Sequence, residues 1–342
     1  MNVVDRQIFR LAIPAIVTNI TVPLLGLADL TIVGHMGSTA YIGAVAVGSM
    51  VFNVIYWVFG FLRMGTSGLT SQALGAGAPQ TIVSLLRQSL TAAMAIAMVM
   101  LIGQRGLLAL AMLAMKPQAD VAQAVDAYFS ICIWGAPAMM GLYGLTGWFI
   151  GMQNTRIPMY VSIVQNVVNL VASVSLVYGA GMHIEGVALG TLIAQWAGFL
   201  MALYSLWRSR LVPAVPHGLR GGGGQVGQDF LHFFAVNRDI FLRTLFLVSV
   251  NLFFTSAGSR QGALTLSANT LLLTLFTITS FTMDGLAYAA EALGGRCCGA
   301  HDRAGFSLLV RRLFLWGGLS AALFTLLFAL GGGVLLALLT SD

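Results

Sequence analysis

The chain has 342 residues, of which 58% are hydrophobic and only 8% are charged. Soluble domains carry about 25% charged residues, so this composition excludes a water-soluble fold. The formal net charge is +6, but in so apolar a chain the basic residues indicate membrane orientation and not a nucleic-acid partner. The three cysteines, Cys132, Cys297 and Cys298, have neither the number nor the spacing of a disulfide framework or a metal site.

Long apolar stretches predict an all-α polytopic membrane protein. A helix needs about 20 mostly apolar residues to cross a bilayer, and the chain lacks the alternating ten-residue pattern that is typical of a barrel. The first stretch already has spanning length, so no cleavable signal peptide is expected. We expect about nine transmembrane helices, at 9–33, 43–73, 86–114, 122–150, 158–180, 186–207, 240–257, 263–294 and 305–339.

The basic residues predict the orientation of these helices. The span edges are defined only to within several residues. With a cytoplasmic N-terminus, we assign Arg105, Lys116 and Arg260 to outer segments, and Arg63 and Arg243 to the membrane interior. The rest of the 17 basic residues then lie in inner segments. An excess of Lys and Arg on the cytoplasmic side is the rule for membrane proteins. We therefore predict that the N-terminus is cytoplasmic.

One long polar connection divides the chain. Residues 208–238 contain two prolines, four arginines and a run of four glycines at 221–224. No GxxxxGK[ST] pattern identifies a phosphate-binding loop here, so we interpret the segment as a flexible cytoplasmic linker. The predicted domains are an N-lobe of six transmembrane helices at 1–207, the linker, and a partial C-lobe of three transmembrane helices at 239–342.

The two lobes contain an internal repeat with an offset of 224 residues. Leu74–Ala76 aligns with Cys298–Ala300, and Ser84–Arg87 aligns with Leu308–Arg311. Parallel repeats of this kind are common in transporters, and two complete copies would need about 448 residues. We therefore expect a fragmentary C-lobe that lacks about three helices.

A carboxylate in the first span is the main candidate for function, because ionisable residues in a bilayer are costly. Asp29 follows two prolines, Pro14 and Pro23, which can bend the helix. We expect Asp29 to load and release a proton or a small cation. The alternative is a hydrated carboxylate that ends the helix near the outer interface.

An acidic and aromatic face is predicted on the eighth span. Asp284, Tyr288 and Glu291 follow one another at i, i+4 and i+7, which places them on one side of a helix. These residues could receive a cationic substrate. The alternatives are ion pairing with Arg63 or Arg243 and hydration near the inner end of the span.

Neutral polar residues recur at helical spacing on three other spans. They could line a hydrated cavity and coordinate a small cation, and helix–helix hydrogen bonding explains their spacing equally well. The residues are Tyr128 and Tyr143 on the fourth span, Asn166, Asn169 and Ser173 on the fifth, and Thr191 and Gln195 on the sixth.

An enzyme is not expected. Gly65-Thr66-Ser67-Gly68 matches the GxSG motif of a serine hydrolase, but that chemistry also needs a histidine base at a similar depth. All five histidines fall in loops or near the ends of spans. We expect no cofactor and no bound metal centre, and only H+ or Na+ as a coupling ion.

Several motifs resemble those of the multidrug and toxic compound extrusion (MATE) transporters. Four of them lie in the first lobe, at Ala28–Gly37, Ser71–Gly77, Gly147–Pro158 and Gln165–Asn169. Two more are similar to the branch of DNA-damage-inducible protein F, at Asn237–Thr244 and Asp284–Ala292. The resemblance covers essentially the whole chain.

The resemblance implies a MATE-type fold, two six-helix lobes around a central cavity, of which the second is incomplete here. It implies a secondary active efflux transporter, an antiporter of the bacterial inner membrane that exchanges organic compounds for H+ or Na+. The family's first-helix aspartate corresponds to Asp29, and its N-lobe polar cluster to Tyr128, Asn169 and Thr191. Many members carry a second acid where this chain has Ser173, which favours protons over Na+. The implied partners are the lipid bilayer and a small cationic or amphipathic substrate, with no nucleic acid.

Two alternatives remain open. A lipid-linked precursor flippase of the same superfamily would need several basic residues for phosphate groups, whereas we assign only Arg63 and Arg243 to the membrane interior. The other alternative is an inactive membrane protein, because half of a second lobe cannot enclose a cavity alone.

Overall fold

The computed structural model describes residues 3–36, 39–115, 118–209, 238–250, 253 and 263–339. These residues are helical apart from short turns, and none of them forms a strand. The helices are α1 Val3–Gly34, α2 Thr39–Val58, α3 Phe61–Gly75, α4 Pro79–Ile102, α5 Gln104–Met115, α6 Ala119–Cys132, α7 Ala136–Gly151, α8 Arg156–Val174, α9 Ile184–Arg208, α10 238–250, α11 Ala263–Gly299 and α12 Arg303–Leu339.

Seven helical stretches within the described ranges are long and apolar enough to cross a membrane. They are helical because lipid offers the backbone no hydrogen-bond partners, so each segment must satisfy its own. The predicted span at 240–257 extends beyond the described residues, and α11 is not among the seven. The count of nine transmembrane helices and the cytoplasmic N-terminus therefore stay predictions, as do the domain boundaries, since 210–237 of the linker is outside the described residues.

Three of the predicted spans are interrupted helices. A turn at Gly60 separates α2 from α3, and Gly103 separates α4 from α5. A short 3-10 turn at Ile133–Gly135 joins α6 to α7. Glycine interrupts helices readily because it has no Cβ and loses more conformational freedom on ordering than other residues do.

The structure contains the repeat that the sequence predicts. Adding 224 to the residue numbers places α2 and α3 together on α11, and α4 and α5 together on α12, with coincident ends. The turns after α3 and α11 are also equivalent. In each turn a residue with positive φ, Gly77 (64°) or His301 (54°), ends the helix through the same pair of backbone hydrogen bonds.

The two copies meet where α3 crosses α11 with their backbones in contact. A Cβ on Gly75 would lie 2.0 Å from the carbonyl oxygen of Arg296, and a Cβ on Gly299 would lie 1.9 Å from the carbonyl oxygen of Gln72. Gln72 and Arg296 are also 224 residues apart, so the crossing is symmetric about an approximate two-fold axis. Such an axis is the arrangement expected of parallel repeats in transporters.

Helix α1 lies between α8 of the predicted N-lobe and α11 of the predicted C-lobe. On one side it packs against α8, and on the other against α11. Helix α7 supports this arrangement from behind, because Gly147 and Gly151 let it lie directly on the backbone of α3. The side chains of α7 are closely packed. Trp148 is fully buried, and its indole nitrogen donates to the carbonyl oxygen of Ile82 at 3.1 Å. The polar residues of α1 therefore face neighbours from both predicted lobes.

Candidate functional site

Asp29 lies in the last part of α1 and is buried, with 2% of its surface exposed. The hydroxyl of Thr191 on α9 donates to Asp29 Oδ2 at 3.0 Å. The amide of Asn169 on α8 donates in turn to that hydroxyl at 3.1 Å. Side chains from two other helices thus converge on the carboxylate of α1, which is buried inside the bundle.

Tyr128 and Ser173 complete this group of buried polar residues. Tyr128, on α6, is 3% exposed and interacts electrostatically with Asp29. Ser173 lies one turn beyond Asn169 on α8, and its hydroxyl packs closely against Gly190 of α9. The five residues predicted to couple an ion are therefore all buried along neighbouring helices.

Several oxygen atoms of this group lack a donor. Among the described residues, Oδ1 of Asp29, Oδ1 of Asn169 and the hydroxyl of Ser173 are buried without a hydrogen-bond partner. Buried polar atoms are nearly always partnered in folded proteins. Oxygen atoms of this kind can accept a proton or coordinate a small cation.

No cationic side chain of the described residues neutralises Asp29. The ion pairs recorded among them involve Glu291, Asp239 and Asp5, each with an arginine. An isolated ionised carboxylate is costly to bury, and neutralisation by a proton or a cation removes that cost. The surroundings of Asp29 therefore favour reversible binding of a small positive charge.

Polar contacts in the middle of α1 were not predicted. Thr21 exchanges a short hydrogen bond with Ser162 of α8, and Asn19 Oδ1 accepts one from the hydroxyl of Tyr288 on α11 at 3.3 Å. Thr18 donates to the carbonyl oxygen of Pro14 in its own helix at 2.9 Å. The sequence feature that could have identified Asn19 is its polar amide in the middle of an apolar span.

A second group lies where α3 faces α11. Arg63 forms an ion pair with Glu291, at 3.5 Å between Nη1 and Oε2. Its guanidinium carbon lies 4.0 Å from the ring centroid of Tyr288, and Tyr143 of α7 interacts electrostatically with both. Asp284 is exposed. For Glu291, the structure thus contains the ion pair with Arg63 that was weighed against a substrate contact.

Asn166 belongs to neither group. It is half-buried, and its amide donates to the carbonyl oxygen of Ser162, one turn earlier in α8, at 2.9 Å. This bond lies within α8, so it is neither a cavity contact nor the helix–helix hydrogen bond that the sequence left open.

A metal centre is not evident in the part of the chain that the structure describes, where no three His, Cys, Asp or Glu side chains cluster. Ser67, the serine of the GxSG motif, lies on α3 and is completely buried. Its surroundings are those of a packing residue.

Comparison with known proteins shows clear relatives. Residues 14–174 match the MatE family model. The chain is 36% identical to DNA damage-inducible protein F of Escherichia coli (strain K12), over 98% of this chain and 73% of that protein. It is 25% identical to a protein of Acinetobacter baylyi named Probable multidrug resistance protein NorM, over 77% of this chain and 57% of that protein. The chain thus spans between about half and three quarters of the length of these relatives.

The fold has relatives among solved structures. A MOP superfamily transporter from Pyrococcus furiosus superimposes with a TM-score of 0.82 at 20% identity, covering 99% of this chain and 75% of that one. At this level of identity the likeness concerns the fold alone.

Proposed function

The chain belongs to the MatE family of membrane transporters, and on that premise we propose that it exports small organic compounds in exchange for protons. Asp29 is the proton-binding group in this proposal. The exported compounds are organic cations or amphipathic molecules, and the membrane is the inner membrane of a bacterium, in keeping with the similarity to the Escherichia coli protein.

The burial of Asp29 without a counter-ion among the described residues is the observation that supports the proposal most. The carboxylate is 2% exposed, and the hydrogen bond that it receives from Thr191 comes from a neutral hydroxyl. A proton that binds there neutralises a buried charge and changes the balance between the conformations of α1. Exchange follows when the proton and the substrate favour different conformations of one transporter, because each ligand shifts the population by its difference in affinity.

Protons are favoured over Na+ because the site offers one carboxylate. Ser173 stands where a second acid would add charge for a metal ion, and a serine hydroxyl supplies only a neutral oxygen. Sodium ions need several oxygen ligands with enough negative charge to replace their hydration shell, whereas a proton needs a single acceptor.

We therefore expect export to follow a pH gradient in the absence of sodium. Everted membrane vesicles containing the chain should accumulate ethidium when acidified inside in sodium-free buffer, and vesicles without the chain should not. A sodium gradient at equal pH on both sides should drive no accumulation. Accumulation that follows sodium alone would contradict proton coupling, and no accumulation under either gradient would favour the inactive membrane protein.

The hydroxyl of Thr191 should matter through its bond to Asp29. Thr191→Val keeps the shape of the side chain but removes the hydroxyl that binds the carboxylate and accepts from Asn169. Hydrogen bonds to charged groups contribute about 1.5–3 kcal/mol, so we expect proton-driven ethidium accumulation to fall by about 10-fold or more. Thr191→Ser keeps the hydroxyl and serves as the matched control. Equal rates for the valine and serine variants would exclude a role for this bond.

The flippase alternative has less support. A site for lipid-linked phosphates needs free cationic side chains, but Arg63 is engaged by Glu291 and Tyr288. Arg243 on α10 is exposed and by itself supplies a single positive charge.

A further inference from the structure

The face of α11 that carries Asp284, Tyr288 and Glu291 is already occupied by a cation of the protein itself. Arg63 reaches this face from α3, where its backbone is pressed against Gly147 of α7. The guanidinium contacts a carboxylate and an aromatic ring together. These are the two kinds of group that recognise an organic cation.

The contacts of Arg63 have the geometry of cation recognition. A cation within about 6 Å of a ring centroid is attracted by the negative face of the ring, and the guanidinium carbon lies 4.0 Å from the centroid of Tyr288. The hydroxyl of the same ring donates to Asn19 of α1, which fixes the orientation of the ring. The ring of Tyr288 thus has a fixed orientation, and its face is available to a cation that lies above it.

The ion pair with Glu291 is a loose one. Its nitrogen–oxygen distance is 3.5 Å, whereas charge-assisted hydrogen bonds in strong pairs measure about 2.7–2.9 Å and are frequently bidentate. Glu291 therefore contributes one long contact to the binding of the guanidinium. The pair can therefore open without the loss that the rupture of a bidentate pair would bring.

Glu291 and Asp284 remain accessible beside the guanidinium. A share of 24% of the Glu291 side chain is exposed, compared with 11% for Arg63. Asp284 is exposed and forms no ion pair within 4.0 Å among the described residues, and Arg243 of α10 acts on both carboxylates at longer range. An incoming cation can thus meet carboxylate oxygens before Arg63 has left.

We propose that this face of α11 is a binding site for organic cations and that Arg63 is a tethered competitor, which occupies the site until a cationic substrate displaces it. The inference rests on the proposed export function and specifies the site and its regulation. Arg63 lies on α3 and Glu291 on α11, so displacement removes an ion pair that joins the two predicted lobes. Return of Arg63 then helps to expel the substrate when the lobes close again.

Removal of the competitor should tighten binding. The chain is reconstituted in lipid nanodiscs, and its affinity for tetraphenylphosphonium is measured by equilibrium dialysis, which needs no gradient and no transport. We expect Arg63→Gln to bind the probe about tenfold more tightly than the wild type, which corresponds to about 1.4 kcal/mol. Arg87→Gln removes the same charge from an exposed position on α4 and should leave the affinity unchanged.

Two further variants test the site itself. The double variant Arg63→Gln, Glu291→Gln should lose the gain, and Glu291→Gln alone should weaken binding of the probe even if Arg63→Gln does not fold. An Arg63→Gln protein that binds no more tightly than the wild type, or a Glu291→Gln protein with unchanged affinity, overturns the proposal and leaves a structural ion pair. Because dialysis reports binding alone, this failure is distinguishable from failure of proton-driven ethidium accumulation, which would reject the export function.

Discussion

Replacement of Asp29 by asparagine should abolish proton-driven export while the protein stays folded. Asparagine has nearly the same shape as aspartate and keeps an oxygen that can accept from Thr191, but it cannot take up or release a proton. A ligand that no longer distinguishes two conformations shifts neither of them, however strong the gradient. We expect ethidium accumulation in everted vesicles to fall at least about 100-fold, to the level of vesicles without the chain.

The folding of this variant provides the control. The substitution removes a buried carboxylate that has no counter-ion among the described residues, so the melting temperature in detergent should stay the same or rise. Asp126→Asn removes a carboxylate of α6 that is exposed, and it should transport like the wild type. A well-folded Asp29→Asn protein that accumulates ethidium at the wild-type rate would exclude Asp29 as the coupling group.

A bulky residue at the crossing of α3 and α11 should be strongly destabilising. Even the Cβ of Gly299→Leu would meet the carbonyl oxygen of Gln72 at 1.9 Å, which is backbone and cannot rotate away. The two helices must separate along the crossing and lose the packing around it, at a cost of about 3 kcal/mol or more. Thermal unfolding in detergent, followed by size-exclusion chromatography, measures the effect.

The symmetry of the crossing makes the prediction more specific. Gly75→Leu should destabilise to a similar extent, because a Cβ there would meet the carbonyl oxygen of Arg296 at 2.0 Å. Gly68→Ala, two turns earlier on α3, adds a Cβ that nothing approaches within 4 Å, and should be neutral or stabilising by about 0.5–1 kcal/mol. If Gly299→Leu and Gly68→Ala have the same melting temperature, the close crossing does not contribute to the stability of the fold.

The sequence predicted the helices and the repeat because both depend on local or self-similar patterns. Because lipid offers the backbone no hydrogen-bond partners, an apolar stretch forms a helix. The predicted spans therefore fall on helices wherever the residues are described, and three of them fall on a pair of helices joined by a short turn. The offset of 224 appeared in glycine-containing turns, and the structure repeats those turns at Gly77 and His301. Their conformation depends on a few neighbouring residues and is therefore readable from sequence.

The contacts between helices were less predictable. The sequence placed Asn169 and Thr191 with Asp29 through resemblance, and the structure brings them within hydrogen-bond distance of one another in series. For Glu291 the sequence left two interpretations open, substrate contact and pairing with arginine. Periodicity shows which face of a helix a residue lies on, but not which helix packs against that face. Asn19 was missed for the same reason, since its partner Tyr288 lies 269 residues away in the chain.

Proton movement caused by substrate movement tests the central claim most directly. Proteoliposomes containing the chain, the dye pyranine and ethidium are diluted into ethidium-free, sodium-free buffer at the same pH. As ethidium leaves down its gradient, exchange predicts acidification of the interior, and proteoliposomes of the Asp29→Asn variant should show none. Ethidium efflux through the wild-type chain without a change in internal pH, or equal acidification with Asp29→Asn, would contradict proton exchange at Asp29.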